Sequence, residues 1–251
     1  YRYTPTTGIW QTVWMEPAPE RRVERLRIVP DIDRSEVRIT VDTSAAGKVE
    51  AAVFDGARQI ASASGKSGSE IRLGIPSPKL RSPQQPFLYT LRVTAGADRV
   101  SSYFGMRKIE IRSDGEGIAR YYLNNQPLRF QYGPLDQGYW PDGVLTPPSD
   151  KAAEFDIQYL KDIVCNMARV HVKVHPERWY YHCDRLGLLV WQDFVCSRRF
   201  DSRMTPESAR QWESEQRRMI DNLRNHPAII QWVVFNEGWG QYDTERLTDW
   251  T

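Results

Sequence analysis

The sequence predicts a multidomain β plus α/β chain. An immunoglobulin-like β-sandwich is followed by the first half of a TIM (β/α)8 barrel, with a lone strand ahead of both. Three observations predict this. Apolar residues alternate with period two up to about residue 112, strands and helices take turns after it, and polar residues collect at the C-terminal ends of the later strands.

The lone strand is read from Trp10, Val13 and Met15, whose partners would lie upstream. Seven alternating runs follow: Leu26/Ile28, Val37/Ile39/Val41, Val49/Ala51/Val53, Ile71/Leu73/Ile75, Tyr89/Leu91/Val93, Val100/Ser102/Phe104 and Ile109/Ile111. Period two marks strands with one buried face, and the Gly, Ser, Asp and Pro between the runs mark turns. That number of short strands in so short a span predicts an antiparallel sandwich of immunoglobulin type. No cysteine lies in this region, so no inter-sheet disulfide is expected.

After residue 112 the elements become strand, helix, strand. Leu128–Gly133 is the first strand. Ser149 caps a helix with apolar positions Ala153, Ile157, Leu160 and Val164. Asn166–Val172 is the second strand. Pro176 opens the next helix and Gly187 closes it, with Trp179, Cys183 and Leu186 inward and Glu177 and Asp184 solvated. Leu188–Phe194 is almost continuously apolar, as a strand buried on both faces should be. Thr205-Pro206-Glu207 opens a third helix with Trp212, Met219, Ile220 and Leu223 on one side, and Ile229–Phe235 is the fourth strand. This βαβαβαβ order implies a parallel sheet. Doubly wound sheets and barrels both begin so. No GxGxxG follows the first strand, and polar residues stand at the strand ends, which favours the barrel. The expected domains are residues 1–19, 20–112 and 113–251.

Composition sets limits on function. The chain has 251 residues and a formal net charge of +2, which argues against a nucleic-acid partner. No apolar run reaches the ~18 residues of a membrane span. Cys165, Cys183 and Cys196 include no CxxC pair and make no disulfide framework. His171 and His175 do not share a helix face, so no metal site and no cofactor are expected.

The chemistry concentrates at Asn236-Glu237. A glutamate just past a buried barrel strand is expected in partly apolar surroundings, which raise a carboxyl toward the range of a general acid. Asn236 offers both a donor and an acceptor to a sugar hydroxyl. Of nine tryptophans, Trp140, Trp191 and Trp239 fall at loop or strand-end positions where an aromatic face can stack on a sugar ring. The loop from Asp136 through Tyr139 and Trp140 to Gly143 reads as a substrate loop. Arg169 and His171, two apart, share the inward face of the second strand. A buried Arg169 needs a carboxylate, with Glu237 one candidate, and Asp193 is the other inward acid.

These segments together resemble glycoside hydrolase family 2, the family of β-galactosidases, β-glucuronidases and β-mannosidases. Gly8-Ile9-Trp10-Gln11-Thr12-Val13-Trp14 resembles the closing strand of that family's N-terminal sugar-binding jelly roll. Residues 103–110 (YFGMRKIE) resemble the end of its immunoglobulin-like domain, and residues 122–128 (YLNNQPL) resemble the approach to its barrel. Asn166-Met167-Ala168-Arg169, residues 183–191 (CDRLGLLVW) and Asn236-Glu237 follow in the family's order.

The resemblance implies a retaining, exo-acting β-glycosidase acting on a β-linked oligosaccharide or glycoside, β-galactosidase-like by the loop of Gln137, Tyr139 and Trp140. It makes Glu237 the acid/base and Asn236 the contact to the sugar 2-hydroxyl. Arg169 becomes the strand-two arginine near the carboxylates, His171 a cleft histidine and Asp193 a supporting acid. The family's nucleophile is a glutamate on the seventh barrel strand, and no residue here matches it. Residues 113–251 fall short of the ~250 residues of a complete barrel. The chain is therefore expected to be a fragment, inactive and poorly soluble alone, from a full-length protein that could form a homo-oligomer. Exported carbohydrate-degrading relatives tilt the expected compartment toward periplasmic or secreted. Two other readings are a non-catalytic carbohydrate-binding module and an unrelated α/β enzyme such as a dehydrogenase.

Overall fold

A computed structural model of the chain describes residues 7–128, 131–195, 204–238 and 240–251. They form two compact units, Trp14–Phe130 and Gln131–Thr251, the latter with Tyr1–Val13.

The first unit contains β1 (Val23–Asp31), β2 (Glu36–Thr43), β3 (Lys48–Asp55), β4 (Arg58–Lys66), β5 (Glu70–Gly74), β6 (Tyr89–Ala95) and β7 (Asp98–Phe104). They make two antiparallel sheets, β1-β2-β5 and β4-β3-β6-β7. The alternating residues point between the sheets. Val37, Ile39, Val41, Val49, Val53 and Leu91 are wholly buried, and Ile71, Leu73, Ala51 and Val93 nearly so. Register follows the pattern: Ile39 lies opposite Ile71, and Ala51 opposite Val93. A shift of one residue would turn every one of these side chains to water.

Two elements differ from the sequence pattern. β4 is the seventh sandwich strand. Its segment RQIASASGK offers Ala and Ser where large apolar residues would announce a buried face, and it lies at a sheet edge. The run Ile109/Ile111 leaves the sandwich. It forms β8 (Ile109–Ser113), which pairs with β9 (Ala119–Leu123), and β9 pairs with β10 (Gln126–Pro127). This ribbon is fastened to its own unit. The Lys108 amide donates to Asn124 Oδ1 (3.0 Å), Asn124 Nδ2 donates to Arg81 O (2.9 Å), and Lys108 Nζ pairs with Asp33 (2.6 Å). Residues 113–128 therefore pack with the first unit.

Residues 7–22 hold no regular strand. Trp10, Val13 and Met15, read as a strand, are 40%, 74% and 97% exposed. The alternation is present, but no strand among the described residues pairs with it, and a strand needs such a partner.

The second unit contains β11 (Leu135–Asp136), α1 (Asp150–Asp162), β12 (Met167–Val170), α2 (Glu177–Leu186), β13 (Leu189–Asp193), α3 (Pro206–Leu223), β14 (Ile229–Val233) and α4 (Thr244–Trp250). The strands form one parallel sheet in chain order, β11-β12-β13-β14, the way a (β/α)8 barrel begins. The first strand lies later than the pattern suggests. Tyr132 O, Pro134 O and Asp136 O accept from the amides of Asn166, Arg169 and His171, whereas the Leu128 amide donates back to Tyr121 O in the ribbon.

Local chemistry explains the helix limits. The Ser149 hydroxyl accepts from the Ala152 amide, and Thr205 from Ser208. Ala153 and Ile157 face inward, but α1 ends at Asp162, and Val164 turns out to solvent at φ 69°. Gly187 stops α2 in the left-handed region, φ 82°, its amide bonded to Cys183 O. Gly187→Ala puts a Cβ where an L-residue is strained, so unfolding in urea should show a loss of about 1 kcal/mol.

One face of the sheet carries Ala168, Val170, Val190 and Ile229 against Trp179, Cys183, Trp212, Met219 and Leu223 of the helices. The other face carries Arg169, Trp191 and Gln231 in lateral register. Asp184, expected in solvent, is fully buried. Its Oδ2 lies 2.6 Å from His226 Nδ1, and its Oδ1 accepts from the Ala228 amide at 2.7 Å. The inward face of α2 includes this carboxylate because its partners come from the loop that leads into β14.

Candidate active site

The C-terminal ends of β12, β13 and β14 bring four of the expected residues together. Arg169 grips Asp193 with two bonds, Nε to Oδ1 (2.9 Å) and Nη2 to Oδ2 (2.8 Å). The same Nη2 donates to Asn236 Oδ1 at 2.8 Å. His171 Nδ1 lies 2.6 Å from Asp193 Oδ2. The carboxylate can only accept, so Nδ1 carries the hydrogen and Nε2 is the ring atom left for other contacts. Asp193 is 1% exposed, and two cationic or donor side chains make that burial tolerable.

Asp193, not Glu237, is thus the carboxylate that holds Arg169. Asp193 lies on the neighbouring strand, two residues past Trp191, the register partner of Arg169, on the same face. Glu237 lies beyond the strand in a turn at φ 55° and is exposed, not in the partly apolar surroundings that the sequence suggests. A non-glycine residue is held there only by its surroundings, and such positions gather at functional sites. Asn236 beside it is half-buried.

The aromatic positions divide. Trp191 is half-buried, its Nε1 donating to Gln131 Oε1 at 3.0 Å. Trp140 is half-buried and exchanges both backbone bonds with Val144 (2.8 and 3.0 Å), which closes the loop. Gly143 sits so close to Thr146 O that a Cβ would stand 2.0 Å from it, so only glycine fits this turn. Tyr139 is half-buried. Trp239 lies outside the described residues.

Asp136 stands in a second cluster. Lys173 Nζ lies 2.6 Å from its Oδ1, and His175 Nε2 lies 2.6 Å from its Oδ2. Both partners are missed by sequence reasoning. The one signal the sequence offers for them is the i, i+2 spacing of His171, Lys173 and His175. Burial would raise the Asp136 carboxyl, but the hydrogen bond and charge of His175, and then those of Lys173, outweigh it and hold it at about 2. Burial pushes the His175 imidazole down, against the pull of Asp136.

A carboxyl held below its unfolded value adds stability above the unfolded pKa of ~3.9 and loses it as the pH falls toward the folded value. The contribution of Asp136 is about 2 kcal/mol, present above pH ~4 and lost between about pH 4 and pH 2. Urea unfolding across that range should show a smaller loss in Asp136→Asn than in wild type, by about that amount, because Asp150, Asp114 and Glu213, also held low, still titrate in the variant.

Among the described residues no group of three or more His, Cys, Asp or Glu could hold a metal ion, and no helix is long and apolar enough to cross a membrane.

Comparison with known proteins agrees with this architecture. The family model described as glycosyl hydrolases family 2 matches residues 21–107, and the one described as the TIM barrel domain of that family matches residues 149–251. A putative β-glucuronidase of Formosa agariphila is 26% identical over 96% of this chain and 30% of its own length. A β-galactosidase of Klebsiella pneumoniae is 25% identical over 97% of this chain and 26% of its own length. β-Mannosidase B of Thermothelomyces thermophilus is 29% identical over 97% and 31%. The chain thus spans roughly 26–31% of the length of these relatives. Among solved structures, a Ruminococcus gnavus β-glucuronidase in complex with D-glucuronic acid superposes with a TM-score of 0.78. It is 21% identical, over 92% of this chain and 40% of that one, and so shares the fold. With a sandwich followed by parallel βα units, and with both family models matched in order, the chain belongs to glycosyl hydrolases family 2.

Proposed function

We propose that these residues carry the acid/base side of the active site of a retaining, exo-acting β-glycosidase. The observation that carries the reading is the Arg169 guanidinium, bonded at once to Asp193 and to Asn236 Oδ1, one residue before Glu237. Asn236 Oδ1 is occupied by Arg169, so its Nδ2 is the group turned toward a ligand, a donor suited to a sugar hydroxyl oxygen. Glu237 gives its proton to the departing glycosidic oxygen and then takes one from the attacking water. Both Asp193 oxygens are engaged by Arg169 and His171, which makes Asp193 a support and not a nucleophile. The nucleophile of this mechanism is a second glutamate, for which no residue described here is a match.

A β-galactoside is the first sugar to test, because the loop of Gln137, Tyr139 and Trp140 resembles that subgroup. The relatives named for glucuronides and mannosides supply the competing arms. The full-length protein is expected to hydrolyse one aryl β-glycoside of the three with retention at the anomeric carbon, read by proton NMR of the first-formed sugar. Inversion, or no hydrolysis of any of them, overturns the proposal.

A further inference from the structure

Several buried side chains beside the Arg169 cluster have no part in the proton transfers proposed for Glu237. Lys173, whose side chain is 7% exposed, donates both to Asp136 Oδ1 (2.6 Å) and to the carbonyl of Gly138 (2.7 Å). His175 holds the other Asp136 oxygen, and its ring lies flat on Trp179, centroids 4.2 Å apart and planes at 14°. Gln192 is fully buried. Its Nε2 donates to Lys173 O (3.0 Å) and to Asp193 O (2.8 Å), and its Oε1 accepts from the Tyr180 hydroxyl. That hydroxyl in turn accepts from the His175 amide at 3.2 Å. Every strong polar group of the set has a partner within it.

The segment between the clusters is itself strained. Val172 stands at φ 57°, a conformation that a β-branched residue rarely adopts. It is flanked by His171, bound to Asp193, and Lys173, bound to Asp136 and Gly138. A strained backbone persists only where its surroundings over-determine it. Here the fastening on both sides does so. Lys173 reaches the first residues of the loop that carries Tyr139 and Trp140, and Gln192 ties the Lys173 carbonyl to the strand end that carries Asp193.

We infer that Lys173 is a positioning residue: with Asp136, His175 and Gln192 it forms a buried clip that sets the Tyr139–Trp140 loop relative to the Arg169–Asp193–Asn236 cluster, and so sets how tightly a sugar ring is held. The effect on substrate rests on the glycosidase reading, whereas the clip itself does not. A clip of this kind acts on the grip and not on the proton transfers.

In the full-length protein, Lys173→Met keeps the aliphatic stem and removes the donors. KM for the aryl β-glycoside that the wild type hydrolyses should rise tenfold or more, and kcat should fall less than threefold. Asp136→Asn should move KM the same way. The double variant should be no worse than Lys173→Met, because both changes open one clip. Amide hydrogen exchange over residues 136–144 should quicken at least tenfold in each variant, with β13 unchanged. An unchanged KM beside a lowered Tm overturns the inference, as does a fall in kcat at constant KM. If the wild type hydrolyses no β-glycoside, the glycosidase reading fails, and exchange alone decides the clip. Unchanged protection at 136–144 in Lys173→Met overturns it, and faster exchange there sustains it. Should Lys173→Met not fold, Lys173→Arg and Asp136→Asn carry the same two readouts.

Discussion

Glu237→Gln in the full-length protein should lower kcat by roughly 10²–10⁴-fold on substrates whose departing oxygen must be protonated. The carboxamide keeps the size of the side chain and its hydrogen-bond reach but has no proton to give at neutral pH. A dinitrophenyl glycoside leaves without protonation, so its bond-breaking step should suffer far less. The contrast between a poor and a good leaving group separates loss of the acid from loss of the fold, which would depress both alike. The turn at φ 55° makes the choice of Gln important, since glycine would relax the backbone as well as remove the acid. Equal losses on both substrates would remove Glu237 from the acid/base role.

Asp193→Ala should be the most disruptive change to the cluster. It strips Arg169 of both its carboxylate bonds and His171 of its acceptor in one step. Breaking a buried pair by removing one partner costs about 3–5 kcal/mol. The Arg169 side chain keeps 28% of its surface in water, which places the expected loss near the lower end. Urea unfolding measures it. Catalysis should also fall, because a released guanidinium no longer fixes Asn236 Oδ1. Adding Arg169→Met to Asp193→Ala should recover part of the stability, since it removes the stranded charge, but none of the activity. If the single variant unfolds at the wild-type urea concentration, the pair does not hold this end of the sheet.

Much of this architecture was legible in the chain itself. Val37, Ile39 and Val41 alternate because one face of β2 is core, Ser149 and Thr205 mark helix starts through their side-chain caps, and Gly187 marks a helix end through its left-handed backbone. What alternation cannot say is which sheet a strand joins. Ile109 and Ile111 show the same period whether they pair within the sandwich or in a ribbon. β4 escaped notice for the opposite reason, its inward positions being too small to register.

The site follows the same division. Arg169, His171, Asp193 and Asn236 were legible because strand ends converge in any parallel sheet. Which of the two candidate acids, Glu237 or Asp193, holds Arg169 was not, since that depends on Glu237 standing in a turn outside the strand. The tie between Lys173 and Asp136 depends on the backbone at Val172, and nothing in a valine announces a left-handed residue. Asp184 looked like any polar residue on a helix. Its partners His226 and Ala228 lie 42 and 44 residues further on, beyond the reach of a local pattern.

Because each strand of the parallel sheet lies beside the one that precedes it in the chain, the second unit can assemble in the order of its synthesis. β12 is available when β13 emerges, and β13 when β14 does, so each of these described pairings forms with the strand just made. The Arg169–Asp193 grip can close as soon as β13 docks. The bond to Asn236 must wait for β14, which makes it the last of the cluster to form. A nascent chain halted before Ile229 would hold the arginine and its carboxylate in place with the asparagine still to come, so this cluster is finished only when the fourth strand is.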